Sequence, residues 1–566
     1  MAKIKQHREM FLKERITLFF GSLIIFPLLS WFFTFQVLYG IPEDIDKKLR
    51  LKYIWYVFDQ TFQFKSLYLL LAFVLPILFI FLVGFRTKVF RPNVYTGQAY
   101  KKFLRGTQLV TPEFLYELVK DKSDKDNIQL EIANMPIPID KEGVHFLENG
   151  STGTGKSVGF KEINHHIRMR QKSYREYNER YPNKKQKIPD RCVTIDPNGD
   201  LFSIFGNLKR DKLLNPYDIR TVGWSVFNEI RNDYDYHRLA LSIVPTSAGA
   251  SDEKWNGYAR QLLISVMKYV KNVALENNKK PSMKDVFYIA TVLEVNKLKP
   301  LMQGYEAEAM FVEGADKALG SARFTLSDRL PSILLMPEGD FSIRDFLQDG
   351  NEGDIYITWR EDQKSSLKPL ITMFADIIIT TILSLPKTKV GCYGRSIPFF
   401  LDEIASMDVI SSLTDGLEKG RKHGLKIFAG CQTIKQLIAI YGETEAYVLL
   451  SNFKNLMVLG GAKTDPETAE FMSKALGEMD VLRNNENSTS GSNNSSKSTS
   501  VVKYTERVVM PSELASLPEL YLFIAFAGNM PVTRTKFNII NFKEINEPIL
   551  ERTVSHQQVE QELFND

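Results

Sequence analysis

Two stretches near the start of the chain carry no charge. From Ile16 to Pro42, and again from Ser66 to Phe85, every side chain is uncharged and most are apolar. About 20 such residues in a helix cross the hydrocarbon layer of a bilayer. The pattern therefore predicts two transmembrane helices, at about 16–38 and 66–85, in an N-terminal anchor covering 1–96. Trp31, Tyr39, Trp55, Tyr56 and Tyr68 lie in or near these windows as interface anchors. Pro27 and Pro76 fall inside them, as membrane helices tolerate. The first window is too long for a cleaved signal peptide and lacks a small-residue cleavage site. Lys3, Lys5, Arg8, Lys13 and Arg15 precede it, and Arg86, Lys88, Arg91, Lys101, Lys102 and Arg105 follow the second. The joining loop, which includes Lys47 and Arg50, is nearly balanced. The positive-inside rule then predicts a multi-pass membrane protein with both termini in the cytoplasm.

Beyond Arg86 the pattern changes. Short apolar runs stand at Gly143–Leu147, Cys192–Ile195, Ile355–Trp359, Ile397–Leu401, Leu425–Ala429, Leu456–Leu459 and Tyr521–Ala527. Runs with little alternation suit parallel strands covered on both faces. Helical patterns separate most of them, so the expectation is a doubly wound α/β core. It is divided as 97–224 and 336–566. Between these, 225–335 shows helical spacing, for example at Arg260, Leu263, Met267 and Val270, and reads as an inserted all-α domain. Asn487–Ser500, NSTSGSNNSSKSTS, reads as a flexible polar surface loop.

Composition narrows the function. The 566 residues are 44% hydrophobic, which excludes wholesale disorder. The net charge of +5 excludes a nucleic-acid coat protein held by sheer positive excess, though not a local basic surface. Cys192, Cys392 and Cys431 lie far apart, so neither a zinc site nor a disulfide framework is indicated.

One motif carries chemistry. Gly150-Ser151-Thr152-Gly153-Thr154-Gly155-Lys156-Ser157 fits GxxxxGK[ST], after the apolar run Val144–Leu147 and before a helical pattern. Such a loop turns backbone N–H groups onto phosphates, and the following helix N-terminus adds its dipole. Lys156 would reach the β/γ-phosphates, and Ser157 would ligate Mg²⁺. A metal partner should end a different strand. Pro398-Phe399-Phe400-Leu401-Asp402-Glu403 supplies Asp402 for Mg²⁺ and Glu403 to polarise the attacking water. ATP is expected over GTP, because no guanine-reading NKxD is present. Gln432 closes the run Leu425–Cys431, either as a γ-phosphate sensor or as a strand-end hydrogen bond. Arg421 lies in Lys419-Gly420-Arg421-Lys422-His423-Gly424, either as a transition-state contact to a neighbouring subunit's nucleotide or as a solvated surface residue.

Further stretches share this order: Thr194–Asp200, Leu214–Asp218, Trp224–Glu229, Ser366–Pro369, Gln436-Leu437 and Tyr441-Gly442. With the two spans, the phosphate loop and Asp402-Glu403, they make the chain resemble the type IV coupling proteins. These are the TraD/TrwB-like membrane ATPases of conjugation and type IV secretion, with the TraD branch of F-like systems most similar. The resemblance implies a RecA-like P-loop NTPase core with an inserted all-α domain facing the cytosol. It also implies a homo-hexameric ring with nucleotide between subunits, and Arg421 acting in trans. The implied task is to link a DNA–relaxase substrate, the relaxosome, to the secretion channel and to move DNA with ATP. F-like relatives carry a long C-terminal extension. Here the sequence closes on a short acidic tail (Glu560, Glu562, Asp566), so recognition by such an extension is not carried over.

The stretch Arg168–Arg191 holds nine basic and three acidic side chains, with Tyr174, Tyr177 and Tyr181 interleaved. Arg168, Arg170, Lys172, Arg175, Lys184, Lys185 and Lys187 are candidates for non-specific contact with a DNA backbone. The alternative is a solvated extension of the helix after the phosphate loop. Two other readings stand beside this one: a chromosome translocase of the FtsK type, which resembles the chain in the motor core, and, from another class, a receptor for secreted protein effectors that uses nucleotide only as an assembly switch.

Overall fold

A computed structural model describes residues 12–43, 45–63, 65–86, 102–121, 129–247, 249–349, 352–389, 394–491 and 494–552. Lys3, Lys5, Arg8, Lys88, Arg91, Lys101, Cys392 and the acidic tail lie outside the described residues. The chain divides into two compact units.

The N-terminal unit is helical. Leu12–Leu38 and Leu67–Arg86 are its long helices, and Thr17–Leu38 and Leu67–Arg86 are long and apolar enough to cross a membrane. Gly84 lets the two approach, since a Cβ there would lie 2.3 Å from the Phe19 ring. The joining segment holds a helix, Arg50–Phe62, that the sequence pattern did not single out. Its Tyr53, Ile54, Val57 and Phe58 pack against buried Trp31, Phe35 and Leu69, and Trp31 Nε1 donates to Thr61 Oγ1 at 2.9 Å.

The second unit is built on one ten-stranded sheet. In chain order its strands are β1 (Leu109–Val110), β2 (Phe146–Asn149), β3 (Val193–Pro197), β4 (Lys212–Leu214), β5 (Ile355–Trp359), β6 (Ile397–Leu401), β7 (Leu425–Cys431), β8 (Asn455–Leu459), β9 (Tyr521–Ala525) and β10 (Val532–Lys536). The spatial order is β1-β10-β9-β8-β2-β7-β6-β3-β5-β4. From β8 to β4 every neighbouring pair is parallel. β9 and β10 add an antiparallel margin. Strands β5, β6 and β7 are buried at every residue, as a sheet covered on both faces requires. The centre is aromatic: Phe146, Phe428 and Phe400 stack in sequence at 4.8 and 5.0 Å.

Helices cover the sheet. Lys156–Arg180 follows β2, and Lys364–Ser384 follows β5. The segment Glu361–Ser384 is apolar enough to cross a membrane by composition alone, but 72% of its most apolar window is buried inside the fold, so it is a core helix. Among the described residues no strand lies between β4 and β5, apart from a single bridge Trp224–Phe341. Helices from Asp233–Ile243 to Pro331–Leu334 fill that interval.

One expectation is overturned. Asn487–Ser500 does not read as a loop in the structure. Glu478–Gly491 and Asn494–Arg507 form one long antiparallel hairpin, paired from Glu478–Arg507 out to Gly491–Asn494. Its base adds Lys102–Gly106 as a third strand. A ladder is made by backbone groups, and Ser, Thr and Asn do not remove donors from it as Pro would. Polar low complexity therefore fails to distinguish a hairpin from a loop.

Candidate nucleotide site

Three parallel strands deliver the site at their carboxyl ends. β2 runs into the phosphate loop, β7 ends at Gln432, and β6 ends at Asp402 and Glu403, with β7 between the other two. Loop geometry demands glycine at one position above all. Gly155 has φ +117°, and a Cβ there would also meet Leu520 Cδ2 at 2.9 Å. The loop is tied to its surroundings by backbone groups. Ser151 N and Oγ both donate to Gly460 O (3.0 and 3.1 Å), Gly150 N donates to Cys431 O (3.2 Å), and Leu520 N donates to Thr154 O (2.9 Å). The rim is therefore held by the ends of β7, β8 and β9. Free N–H groups remain to receive an anion at the start of Lys156–Arg180.

The sequence-predicted residues converge here. Lys156 is 9% exposed, and its Nζ lies 3.3 Å from Glu403 Oε2. Gln432 Oε1 accepts from Thr152 Oγ1 at 3.2 Å, so the strand-end side chain touches the phosphate loop directly. Asn149 fixes that strand end by donating Nδ2 to the carbonyls of Cys431 (3.1 Å) and Gln432 (3.3 Å). Burial lifts the Asp402 carboxyl to about 6, with Lys156 opposing and Glu403 adding to the rise. Glu403 Oε1 is buried without a hydrogen-bond partner. Buried carboxylate oxygens this poorly neutralised suit a divalent cation held with Ser157.

Sequence reading missed one acid. Glu148, two residues before the loop, is fully buried, and neither of its carboxyl oxygens has a hydrogen-bond partner. Burial first, and Asp402 second, push it well above the usual carboxylate range. It sits beside Gly159, whose missing Cβ leaves the space it fills. The run Phe146-Leu147-Glu148-Asn149 gave a signal, an acid inside an otherwise apolar strand.

Arg421 is not brought to this cluster. It lies in the short turn Gly420–His423 before β7, at the opposite end of the strand from Gln432. Seven residues at about 3.3 Å each separate the two ends by roughly 20 Å or more. Arg421 Nη2 donates to Asp140 O at 3.0 Å, beside an open cavity of about 490 Å³ lined by Leu118, Val119, Pro138, Ile139 and Met530.

Much of the basic band is corrected. Arg170 is 1% exposed and bonds Glu142 (2.7 and 3.0 Å) and Asp190 (2.7 and 2.8 Å). Arg168 is paired with Asp354 and donates to Tyr356 Oη at 2.7 Å. Arg175 Nε lies 2.7 Å from Glu352. Freeing Arg168 or Arg170 for a phosphate would strand buried carboxylates, so they are structural cations. Lys187 covers the rings of Tyr177 and Tyr174, and Lys184 covers Tyr181. Lys172 and Lys185 are exposed, Lys172 facing Glu176 at 3.7 Å.

Comparison with known proteins agrees with this geometry. Residues 129–538 match the family described as the type IV secretion-system coupling protein DNA-binding domain. The Escherichia coli (strain K12) coupling protein TraD is 25% identical over 428 residues, 74% of this chain and 55% of TraD. The Bartonella quintana (strain Toulouse) coupling protein VirD4 is 24% identical over 347 residues, 58% of this chain and 52% of VirD4. The chain thus spans about half the length of these curated relatives. Among solved structures, unbound TrwB lacking its N-terminal segment is 42% identical and covers 81% of this chain and 99% of its own, with a TM-score of 0.71. The plasmid coupling protein TrwB in complex with ADP and Mg²⁺ is 42% identical at the same coverage, with a TM-score of 0.70. By a family match over most of its length, the chain belongs to the type IV secretion-system coupling proteins.

Proposed function

We propose that the protein is an inner-membrane, ATP-driven DNA translocase of a type IV secretion or conjugation system. It works as a homo-hexamer that links relaxase-bound DNA to the secretion channel. The two apolar N-terminal helices anchor it as a multi-pass protein with cytoplasmic termini. The helical interval within 225–335 is its all-α domain, set in the RecA-like core of 97–224 and 336–566. The observation that carries the reading is the meeting of Lys156, Glu403, Thr152 and Gln432 at three strand ends. TrwB has been solved with ADP and Mg²⁺ and with the ATP analogue ADPNP, and also with the GTP analogue GDPNP.

The residues have separate tasks. Gly150–Ser157 would hold the phosphates of ATP, with Lys156 leaving Glu403 for the β/γ-phosphates. Ser157 and Asp402 would hold Mg²⁺, which supplies charge neutralisation at the transferred phosphoryl group. Glu403, released from Lys156, accepts a proton from the attacking water. Gln432 reports the γ-phosphate to the end of β7. Arg421 lies too far from its own chain's loop to act there, so it serves a neighbour's nucleotide, as a hexameric ring allows.

The test uses the full chain in lipid with single-stranded and double-stranded DNA. ATP turnover that rises with DNA, and disappears in Glu403→Gln while ATP still binds, is the expected result. Absence of turnover in every assembled state would overturn the motor. Turnover indifferent to DNA but raised by a secreted protein would replace DNA with effectors as cargo.

A further inference from the structure

The turn that carries Arg421 is held from outside itself. Its carbonyls and ring are met by a segment of the chain that follows the helix Lys364–Ser384 and leads into β6. Thr388 N donates to Lys422 O at 2.8 Å. His423 Nδ1 lies 2.5 Å from Leu385 O. Arg395 Nε donates to His423 O at 3.2 Å, and the same guanidinium reaches Pro386 O through Nη2. Arg395 N donates to Thr388 Oγ1 at 2.9 Å, which closes the ring of hydrogen bonds. Gly424 ends the turn at φ +93°, where a Cβ would meet Arg395 O at 2.4 Å.

Arg395 is unusual among the arginines of this end of the sheet. Arg170, Arg168 and Arg191 pair with carboxylates, whereas Arg395 has no carboxylate within ion-pair distance among the described residues. Its planar fork is spent on two backbone carbonyls of different segments. A fork satisfies two acceptors at fixed geometry, which a lysine ammonium does not. A charged donor given to backbone carbonyls fixes a shape and neutralises no charge. The shape it fixes is the short turn Gly420–His423, with Arg421 exposed on its outer side.

We propose that Arg395 is a positioning residue for trans action: it clamps the Gly420–His423 turn so that Arg421 meets the nucleotide held by the neighbouring subunit. The proposal rests on the reading of Arg421 given above. Arg395 touches neither phosphate nor water. It decides where Arg421 stands when a neighbour docks. A misplacement of about 1 Å at a charge-stabilising group costs on the order of 10²-fold in rate. Such a clamp acts on the turnover of the neighbour's site and leaves nucleotide binding by its own phosphate loop intact.

The experiment uses the full chain in lipid with DNA, measuring ATP turnover, ATP affinity and ring assembly. Arg395→Met should lower kcat about tenfold to a hundredfold with KM nearly unchanged, and Arg395→Lys should restore part of it. Mixing decides between a positioning role and a general loss of fold. Arg395→Met subunits keep a sound phosphate loop, and Lys156→Ala subunits keep a sound Arg421 face. A 1:1 mixture of two nearly inactive proteins should regain roughly a quarter of wild-type turnover, from the interfaces that pair the sound halves in a cyclic ring. Arg421→Ala mixed with Lys156→Ala serves as the reference. Recovery with Arg421→Ala but none with Arg395→Met would overturn the clamp and keep the trans arginine. No recovery in either mixture would overturn the trans arginine and the clamp together. Full kcat in Arg395→Met would overturn the clamp alone. Should Arg395→Met fail to assemble, Thr388→Val, which removes only the acceptor of Arg395 N, should give the same recovery with a smaller initial loss.

Discussion

The two ends of the central sheet are both rich in buried charge, and they treat it in opposite ways. At the amino end Glu142 is met by Arg170 and Lys426 and is held down to about 2, despite complete burial. At the carboxyl end burial wins. Asp402 rises to about 6, and Glu148, with no hydrogen-bond partner, is also pushed well above the usual carboxylate range. At Glu142 the amino end is electrostatically finished, with both cations in place. The carboxyl end is left short of positive charge, with Lys156 as its main internal relief. A fold that leaves acids under-neutralised in its interior keeps a place for a cation and a charged ligand. Ligand chemistry belongs at the unfinished end and shape at the finished one.

Removing the main cation at the unfinished end should have the largest effect. Lys156→Ala should lower ATP turnover about 10³-fold or more, the scale on which phosphate-holding cations act in phosphoryl transfer. Its stability should change little, because the Lys156–Glu403 pair is a single ion pair at 3.3 Å. A steady-state phosphate-release assay beside a urea titration measures both. A large loss of stability would show that the two ends are not as different as their charges suggest.

Arg170→Met at the finished end should do the reverse. It leaves Glu142 and Asp190 buried with one cation fewer, and removing one partner of a buried network costs about 3–5 kcal/mol. Urea unfolding of the full chain checks this. Turnover per folded molecule should stay close to that of the unaltered protein.

The sequence showed the unfinished end better than the finished one. Phosphate loops are written in consecutive residues, and Asp402-Glu403 at the end of an apolar run needs only the upstream loop to give it meaning. Gln432 was legible because it closes a strand. The finished end is non-local. Arg170 meets Glu142 from 28 positions away and Lys426 meets it from 284, so nothing in the band Arg168–Arg191 marks which cations are spent inside the fold. The same blindness hid strand pairing. β4 is three residues long, and β10 (VTRTK) carries charges where a buried strand would show apolar residues. The hairpin of Glu478–Arg507 is polar through its outer half, so its pairing left no hydrophobic trace.

Acid should separate the two ends by sign. Asp402 is raised from 3.8 to about 6 on folding, so the folded state binds its proton more tightly than the unfolded state. Its contribution to stability is greatest below about pH 4 and falls as pH rises through 6. Glu142 is lowered to about 2, so its contribution is complete above pH 4.5 and is lost as pH falls toward 2. Asp402→Asn should therefore gain up to about 2–3 kcal/mol at pH 7 and nothing at pH 4. Glu142→Gln should lose stability at pH 7 and converge on the unaltered protein near pH 2. Denaturant titrations across pH 3–8 read both slopes. Saturating Mg²⁺–ADP should erase the gain of Asp402→Asn, because the cation rewards the carboxylate that the empty fold penalises.

The smallest effect is expected where the basic band reaches solvent. The helix Lys156–Arg180 starts at the unfinished end and runs toward the finished one, and Lys184 and Lys185 follow it. If DNA passes near this surface, then of the seven candidate residues Lys172, Lys184 and Lys185 are exposed enough to meet its phosphates. Each lysine–phosphate pair removed lowers the slope of log K against log salt by about 0.9. Replacing all three by Ala should therefore lower that slope by no more than about 3, with no change in unfolding free energy beyond about 0.5 kcal/mol. Fluorescence anisotropy with a labelled duplex from 50 to 300 mM salt is the measurement. A slope change of zero would take this face out of the DNA path. A change well above 3 would mean that replacing the lysines also dislodges other phosphate contacts made by this surface.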